Sequence, residues 1–467
     1  MENNPLPGKH LRKLQQAAGE ANVLHQPSDC WAYGQDNSRL HHPPLAVIFA
    51  TGHEQVVDIV RACNEIGLSI VSRGRGTGTA GGAVPGPNSI VLSLERMDSI
   101  LRIDLPNRSL DTQVGVLNQT IQDAIAGDGF FWSPDPTSAA FCTVGGNLAV
   151  NSAGPRSLKY GSTRENVLRL KAVTGDGRTL TTGERTTKGV VGYDLTRLLI
   201  GSEGTLAIIT EATLKLTPIP ESIHTLQFVY SDTHHAADAV VSIMSSSIEP
   251  RSLELIDSEA VNLIRGEDGL NLPAEAGAIL MAEIDGAEAG LENIARELIS
   301  SASNKGLIVQ QRAKTDEEKL ALWTARKKLS PALRRIAPNK LNEDVVVPVS
   351  RLSELIDGLS VLSSRYGIPI VNFGHAGNGN IHVNLLYDTQ DAEQEKRAKP
   401  CLDAVFGLVL GLDGSISGEH GIGLAKMDYV DHEIDSTALD LMRSIKLQFD
   451  PNNILNPGKM LPPIPNS

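Results

Sequence analysis

The sequence predicts an α+β protein with more than one domain, and three observations along the chain predict this class. Residues 45–92 follow a strand–helix–strand pattern, and residues 167–218 are rich in β-branched residues and turn pairs. Beyond Pro218 and Pro220, apolar strands alternate with helical stretches. A chain of 467 residues is also too long for one hydrophobic core, so two or three domains are expected.

The first α/β unit is predicted from a change in hydrophobic period. Residues 54–66 carry apolar side chains at helical spacing and are followed by Gly67, a favoured residue just after a helix. Short apolar runs at 45–49, 68–72 and 90–92 predict strands. The long segment between the last two runs is therefore a loop that joins strand to strand.

The rest of the chain is predicted from turn signals and periodicity. The sequence GDG at 175–177 lies between two β-rich runs and predicts a hairpin. Further elements are expected as strands at 170–174, 178–182 and 279–284 and as helices at 290–304, 317–335 and 439–449. No internal repeat is present in the sequence.

Composition excludes several classes of protein. A formal net charge of −13 argues against a nucleic-acid partner, because such partners require a concentrated basic surface. The four cysteines, Cys30, Cys63, Cys142 and Cys401, are far apart and form no CxxC pair, which is typical of reduced thiols in a cytoplasmic protein. Residues 1–19 are polar and predict neither a signal peptide nor a membrane anchor. We expect a cytoplasmic protein, with peripheral contact to a membrane left open.

A glycine-rich loop at 76–81, with the sequence GTGTAG, matches the GxGxxG pattern without the context of a Rossmann site. A Rossmann loop opens a helix, whereas glycines and prolines follow here until the next strand. With Arg73 and Arg75 at its start, such a loop can wrap a pyrophosphate with backbone N–H groups. A flexible surface loop is the alternative for this segment taken alone.

Small residues are also concentrated in four predicted turns at 134–137, 143–147, 151–154 and 159–162, and in a further glycine turn at 201–204. A hydrophobic core favours bulky side chains, whereas small residues let the backbone approach a planar ligand closely. The turns therefore favour a binding site over a structural core.

Histidines and a glutamate in the last third of the chain form a candidate metal site. His375 and His382 flank a predicted hairpin with a turn of glycine and asparagine, and Glu419 and His420 follow 37 residues later. Two imidazoles and one carboxylate that leave a coordination position open are the usual arrangement of a catalytic zinc site. Either histidine taken alone is more often a packed or solvated side chain, and only the combination favours a metal.

Together these motifs resemble a known flavoprotein superfamily, that of vanillyl-alcohol oxidase and p-cresol methylhydroxylase. The resemblance rests on RGRGTG at 73–78, GGN at 145–147, the Tyr160–Gly161 step and GSEGT at 201–205. The second half of the chain resembles the FAD-linked oxidase branch, which includes D-lactate dehydrogenases, the glycolate oxidase flavin subunit and D-2-hydroxyglutarate dehydrogenases. The match extends over about 45–461.

The resemblance implies a two-subdomain FAD-binding domain of the p-cresol methylhydroxylase type and an α+β substrate (cap) domain with an antiparallel sheet. The expected bounds are an N-terminal segment at 1–44, the FAD-binding domain at 45–218, the substrate domain with the metal site at 219–424, and a C-terminal segment at 425–467 that returns to the FAD domain.

Residues that contact FAD in the family are carried over position by position. They are Arg73, Gly74, Arg75, Gly76, Thr77, Gly78, Gly81, Pro136, Thr137, Thr143, Gly145, Gly146, Asn147, Ala153, Gly154, Tyr160, Gly161, Glu203, Gly204, Ile209 and Asn456. Relatives with covalent flavin attach it to a histidine or cysteine, and the glycine loops here contain neither, so we expect non-covalent FAD. Cys142 is the nearest thiol, and a buried structural role is expected for it.

The resemblance also assigns the metal and catalytic roles. His375, His382 and Glu419 are the expected ligands of a divalent ion, with Zn²⁺ expected and Mn²⁺, Fe²⁺ or Co²⁺ as alternatives. His420 is the expected base. Asn384, two residues from His382 on a strand, is expected on the same face as that histidine.

Arg326 matches the family position that binds the substrate carboxylate, and Lys340 is a weaker candidate for the same role. An arginine on a helix surface is the alternative for Arg326. The branch usually has aspartate at position 378, where this chain has Asn378, so weaker or altered support of the metal is expected.

The expected function is FAD-dependent oxidation of a small D-2-hydroxy acid, D-lactate or glycolate, to the 2-oxo acid. GEHGIG at 418–423 and NPGK at 456–459 resemble the D-lactate and glycolate members. A D-2-hydroxyglutarate dehydrogenase is the alternative, and a flavin electron-transfer subunit without its own substrate is a second one. The electron acceptor, whether a quinone, a cytochrome or an electron-transfer flavoprotein, is left open, as is a homodimer.

Overall fold

The computed structural model describes residues 6–266 and 272–463, so residues 1–5 of the predicted N-terminal segment lie outside it. The chain divides into two compact units. The first contains Met1–Gly154, Gly161–Ile219 and Glu419–Ser467, and the second contains Pro155–Tyr160 and Pro220–Gly418. The chain crosses between units after residues 154, 160, 219 and 418, whereas the boundaries expected from the sequence lie after 218 and 424. Residues 155–160, expected in the FAD-binding domain, therefore belong to the second unit, and residues 419–424, expected in the substrate domain, belong to the first.

The first unit is built on two larger sheets, and Phe130–Phe131 and Thr217–Pro218 form a two-stranded antiparallel sheet beside them. In one, Ser89–Ser93 lies between Val47–Phe49 and Ser69–Arg73 and is parallel to both. The short strand Val23–Leu24 is antiparallel at the edge of this sheet. The other sheet is antiparallel, with the order Ile100–Asp104, Ser109–Gln113, Ala207–Lys215, Val167–Thr174 and Thr179–Gly183. The predicted hairpin around 175–177 is therefore present.

Helix His53–Ile66 follows the first parallel strand, and it ends where the sequence predicts, because Gly67 adopts the left-handed conformation that closes a helix. The longer helices of this unit are Gly8–Ala18, His53–Ile66, Asn118–Ala126, Val144–Val150, Leu195–Leu199 and Ser436–Phe449. Their buried faces and the two sheets enclose a core that includes Trp132 and Ile454.

The turn predicted at 143–147 is the beginning of a helix. Thr143 accepts a hydrogen bond from the backbone N–H of Gly146 and caps Val144–Val150, and Asn151 ends that helix in the left-handed conformation. Small residues there form a helical turn because a side-chain cap replaces the hydrogen bonds that the first N–H groups lack.

The second unit is built on a seven-stranded sheet, and this sheet is antiparallel, as the family resemblance implies. Its strands are, in spatial order, Leu307–Arg312, Ser222–Tyr230, Ala278–Gly286, Ser252–Ile256, Ile370–Gly374, Asn380–Tyr387 and Asn339–Val346. The helices of this unit are Ser157–Tyr160, Thr233–Met244, Ser258–Ile264, Glu288–Ala302, Asp316–Ala332, Leu352–Tyr366 and Ala392–Gly411. The α+β class is therefore confirmed.

One face of this sheet changes from apolar to polar along its strands. Ile279 and Met281 pack with helices Ser258–Ile264 and Asp316–Ala332 in a buried apolar cluster. Opposite Met281, on the neighbouring strand, lies Glu254. Because residues paired across antiparallel strands share a face, Glu254 lies on the same face as that cluster.

Within residues 6–266 and 272–463, no helix is long and apolar enough to span a bilayer. All four cysteines are buried and free.

Candidate active site

The two candidate metal-binding histidines lie at the turn of a buried hairpin. Ile370–Gly374 and Asn380–Tyr387 pair antiparallel with Phe373 opposite His382, and His375 directly follows the first strand. The ring centroids of His375 and His382 are 5.2 Å apart, with the rings at 82°. Both side chains are buried. The turn thus brings together two imidazoles that are seven residues apart in sequence.

Glu419 completes the candidate metal cluster. One ligand atom from each of His375, His382 and Glu419 lies within 4.8 Å of the others. Glu419 directly follows Gly418, the last residue of the second unit, and the backbone N–H of Gly418 donates to Oδ2 of Asp344 at 2.7 Å. Asp344 is fully buried and therefore helps to position the segment that leads to Glu419.

A buried carboxylate joins His375 to Arg326. Glu254 is completely buried, its Oε1 accepts a close hydrogen bond from Nδ1 of His375, and its Oε2 accepts one from Nε of Arg326 at 3.1 Å. Burial by itself raises the pKa of Glu254, but His375 and Arg326 outweigh it and hold the pKa at about 2. Glu254 is therefore a carboxylate anion between two donors.

Arg326 is held on a second side by an aromatic ring. Its Cζ lies 4.5 Å from the ring centroid of Phe373, the residue opposite His382. The hydrogen bond to Glu254 uses Nε alone, so it leaves the paired terminal nitrogens of the guanidinium for another acceptor. The side chain is only 18% exposed, so Arg326 is not the solvent-exposed arginine of the alternative reading, and its carboxylate-binding role stays a prediction.

Two further predicted residues share the face of His382. Asn384 lies opposite Asn342, and Lys340 lies opposite Leu386, so the register places both beside the histidine hairpin. Asn384 is fully buried, and its amide donates to the carbonyls of Val371 and His382. Its Oδ1 has no hydrogen-bond partner among the described residues, so this oxygen can accept from an added donor.

Asn378 is the position in this hairpin where the chain departs from the pattern of the family branch. It lies in the 3₁₀ turn Ala376–Asn378, and its side chain is exposed. The expectation that this position weakens or alters the support of the metal stays a prediction. The same unit contains buried carboxylates at Glu254 and Asp344.

In the first unit, the glycine loop of 74–82 joins two strands of the parallel sheet, as expected. Gly76 and Gly81 have φ values of +67° and +80°, which only glycine adopts without strain. A Cβ added at Gly78 would meet no atom within 4 Å. The backbone at Gly78 therefore borders open space, as close approach of a pyrophosphate requires.

The two arginines at this loop have different surroundings. Arg73 is buried and donates from Nη1 to the carbonyl of Gln35 at 2.6 Å, and a Cβ at Gly76 would overlap its guanidinium. The guanidinium of Arg73 thus packs against the loop at Gly76. Arg75 is half exposed and lies 3.5 Å from Glu95.

Two of the four small-residue turns come together. A Cβ at Gly154, whose φ is +132°, would lie 2.7 Å from the backbone carbonyl oxygen of Asp135, so the turns of 134–137 and 151–154 pack closely against each other. Asn147 is buried and accepts from Asn118 at 3.0 Å, and it donates to Sγ of Cys142 at 3.3 Å. Cys142 thus has the buried surroundings expected for a structural thiol.

Other residues carried over for FAD lie at various depths in the same unit. The partly exposed ones are Pro136, Gly145, Gly146, Ala153 and Gly204. Thr137 is exposed, and Thr143 and Ile209 are buried. Tyr160 differs, because it belongs to the second unit and donates from its hydroxyl to Asp285 at 2.6 Å. Gly161 belongs to the first unit.

Glu203 and Asn456 hold three backbone segments together. The buried carboxylate of Glu203 accepts from the N–H groups of Ile422 and Gly423 at 2.7 and 2.8 Å. The Asn456 amide donates to the carbonyls of Glu203 at 2.7 Å and Gly82 at 3.1 Å. The glycine loop, the turn of 201–204 and the segment after Glu419–His420 are therefore fastened in one place.

Lys459 also contacts these segments, although in the sequence it stands out only as the last residue of the NPGK motif. Its ammonium is buried and donates to the carbonyl of Gly82 at 2.9 Å and to Asn456 at 2.6 Å. Burial lowers the pKa of Lys459 to about 7, although the carboxylates of Asp36 and Glu203 act in the opposite direction. Glu254 and Asp344 were also missed, and their one signal is a charged residue within a buried strand.

The residues present fit both expected groups. Two imidazoles and a carboxylate are a donor set that a divalent ion takes while it keeps open positions, and a structural site closes all four. For FAD, the loop of 74–82 has the positive φ values and the open backbone at Gly78 that a pyrophosphate needs.

Comparison with known proteins gives consistent results. The profile described as "FAD linked oxidases, C-terminal domain" matches residues 219–460, and that of an FAD binding domain matches 44–183. The chain is similar to the glycolate oxidase subunit GlcD of Bacillus subtilis, with 38% identity over 89% of each chain. It is similar to a D-lactate dehydrogenase of Anaerostipes hadrus, with 35% identity over 89% of each chain.

A D-2-hydroxyglutarate dehydrogenase of Xanthomonas citri is 33% identical over 96% of each chain. Among solved structures, p-cresol methylhydroxylase with substrate bound superposes with a TM-score of 0.80 over 99% of each chain, at 19% identity. At that identity the superposition establishes the fold of this chain.

Proposed function

The chain belongs to the family of FAD-linked oxidases and is an FAD-dependent oxidoreductase, and from this premise we propose that it oxidises a small D-2-hydroxy acid, D-lactate or glycolate, to the 2-oxo acid. The observation that carries the proposal is the cluster of His375, His382 and Glu419, with Arg326 joined to His375 through Glu254. A 2-hydroxy acid carries a hydroxyl next to a carboxylate. A metal suits the hydroxyl, and a guanidinium suits the carboxylate. The names of the relatives from Bacillus subtilis and Anaerostipes hadrus support the same class of substrate.

Each proposed role follows from a residue's chemistry. The terminal nitrogens of Arg326 bind the substrate carboxylate in a bidentate manner. His375, His382 and Glu419 would hold a divalent ion, which would supply Lewis acidity toward the substrate hydroxyl. His420 accepts the hydroxyl proton. Bound FAD supplies the acceptor for the Cα hydrogen and its two electrons.

Asn384 contributes an acceptor to this site. Its buried Oδ1 has no hydrogen-bond partner within the described part of the chain, and a substrate hydroxyl or a metal-bound water is the type of donor that would satisfy it. We propose Zn²⁺ as the ion because nitrogen and carboxylate ligands with open positions suit it.

Charge balance favours a short acid with one carboxylate. The buried Arg251 and the partly buried Lys159 of this unit are both paired with Asp285, a residue of the sheet, and Arg251 also lies 3.4 Å from Glu283. These cations are already neutralised. The second candidate is D-2-hydroxyglutarate, because a relative from Xanthomonas citri is named for that substrate, and Lys340 lies on the same face of the sheet as His382 and Asn384.

A flavin electron-transfer subunit is a weaker candidate. Such a protein needs neither a metal nor a base, and this chain presents three metal-type ligands in one cluster.

The test is anaerobic mixing of the purified FAD-bound protein with D-lactate, glycolate, L-lactate and D-2-hydroxyglutarate. We expect D-lactate or glycolate to bleach the flavin absorbance fastest and L-lactate to leave it unchanged. Protein treated with a chelator should keep its flavin colour without bleaching, and Zn²⁺ should restore the reaction. Fastest bleaching by D-2-hydroxyglutarate would favour the second candidate, and no bleaching by any acid would favour the electron-transfer subunit.

A further inference from the structure

Glu254 is an exceptional residue of the second unit, because it is a charged side chain in the middle of a completely buried strand. Ser252–Ile256 has no exposed residue, and Glu254 itself has 0% exposure. Burying a carboxylate costs free energy unless it is paired and hydrogen-bonded. Its two oxygens therefore need partners, and the identity of these partners indicates what the residue does.

Each oxygen has a different partner with a different proposed task. Oε1 accepts from Nδ1 of His375, whose ring lies 5.2 Å from that of His382. Oε2 accepts from Nε of Arg326. We infer that Glu254 is a positioning residue shared by the metal and the substrate carboxylate, with one oxygen orienting His375 and the other orienting Arg326.

The first task follows from the two nitrogens of imidazole. A ring that donates its Nδ1 proton presents a neutral Nε2 lone pair, which is the form that binds a metal. Because Glu254 takes Nδ1, it selects that tautomer and sets the direction of Nε2. Hydrogen bonds of this type contribute about 10- to 100-fold to metal affinity in other sites.

The second task follows from the shape of guanidinium. Glu254 holds Nε of Arg326 while Phe373 lies beneath the plane, and the remaining edge carries two nitrogens side by side. That edge matches the spacing of a carboxylate. One anion thus sets the distance between the metal ligand and the carboxylate-binding group, which a 2-hydroxy acid must bridge.

The inference rests on the proposed function and is tested with Glu254→Gln in the FAD-bound protein. Glutamine has one acceptor and one NH₂ group, so it can serve only one of the two donors and opposes the other. After removal of metal, titration with Zn²⁺ should show a 10- to 100-fold weaker affinity, and KM for D-lactate should rise roughly tenfold.

Asp285→Asn is the matched control. Asp285 is also a buried carboxylate of this unit, and it pairs with Arg251 and Lys159 instead of with a metal ligand. Loss of a buried ion pair should lower the stability of both variants, but only Glu254→Gln should lower Zn²⁺ affinity. If both variants bind Zn²⁺ as the wild type does, Glu254 has only a structural role and the inference is overturned.

Two further variants complete the test. Arg326→Ala should raise KM while Zn²⁺ affinity stays near that of the wild type, because Glu254 still holds His375. If Glu254→Gln does not fold, Glu254→Asp keeps both acceptors but withdraws them by one methylene, and an unchanged Zn²⁺ affinity and KM there would also overturn the inference. A wild type that binds no Zn²⁺ and oxidises no acid would instead refute the proposed function.

Discussion

At the scale of single residues, the histidines show how burial turns an ordinary side chain into a specific one. His234 lies on a helix surface, with its side chain 56% exposed and Asp238 within 3.8 Å. His375 and His382 belong to the same unit but are buried and face each other beside Glu419. Their environment, and not their residue type, makes them candidates for a metal.

The metal assignment predicts a specific defect for His375→Ala. The variant should lose its stoichiometric divalent ion, keep FAD, and show a kcat lower by about three orders of magnitude, since a Lewis acid contributes several kcal/mol. Elemental analysis, the flavin spectrum and steady-state kinetics measure these three quantities. His234→Ala is the control and should match the wild type in all of them. Full activity in His375→Ala would contradict the metal mechanism.

At the scale of elements, the turn between the histidines depends on one glycine. Gly379 has a φ of +73°, and a Cβ there would overlap the carbonyl oxygen of Val347. Alanine would be strained by its conformation and by this overlap. The 3₁₀ turn Ala376–Asn378 would have to move, and with it the spacing of His375 and His382.

We therefore expect Gly379→Ala to weaken Zn²⁺ binding and to lower the unfolding free energy by about 1–3 kcal/mol. Gly407→Ala is the matched control, since Gly407 is exposed inside helix Ala392–Gly411 with no atom within 4 Å of an added Cβ. It should stabilise the protein by about 0.5–1 kcal/mol and leave Zn²⁺ affinity unchanged. Zinc titration and denaturant unfolding distinguish the two, and equal zinc affinities would show that the turn tolerates movement.

At the scale of the whole molecule, the two units hold different parts of the expected chemistry. The first contains the glycine turns, fastened by Glu203, Asn456 and Lys459. The second contains the pair His375 and His382. Glu419, the third candidate ligand, directly follows the last residue of the second unit and belongs to the first. Removal of the metal should therefore be separable from removal of FAD.

Non-covalent FAD is the prediction that concerns the whole chain. The glycine turns contain no histidine or cysteine. Cys142 is buried, and its sulfur accepts a hydrogen bond from the amide of Asn147. Acid or heat precipitation should thus leave intact FAD in the supernatant, which absorbance and chromatography would detect. Removal of the metal with a chelator before precipitation should not by itself release FAD. A yellow pellet after washing would mean that the flavin is covalently attached.

Local rules explain the elements that the sequence predicted well. Helix His53–Ile66 ends at Gly67, and the strands around Gly177 form the expected hairpin, because capping and turn chemistry act within a few residues. The helix Val144–Val150 was missed because its small residues also suit turns, and the Thr143 cap decided between them.

By itself, the sequence determined the α+β class, the FAD-linked family and the residue types of the metal cluster, since periodicity, turn residues and ordered motifs carry that information. Only the tertiary structure decided that Glu254 joins His375 and Arg326, which are 121 and 72 residues away from it. The cause is strand order: Ser252–Ile256 lies beside Ile370–Gly374, and no local pattern specifies which distant strands become neighbours. The burial of Lys459 against Gly82, 377 residues away, has the same origin.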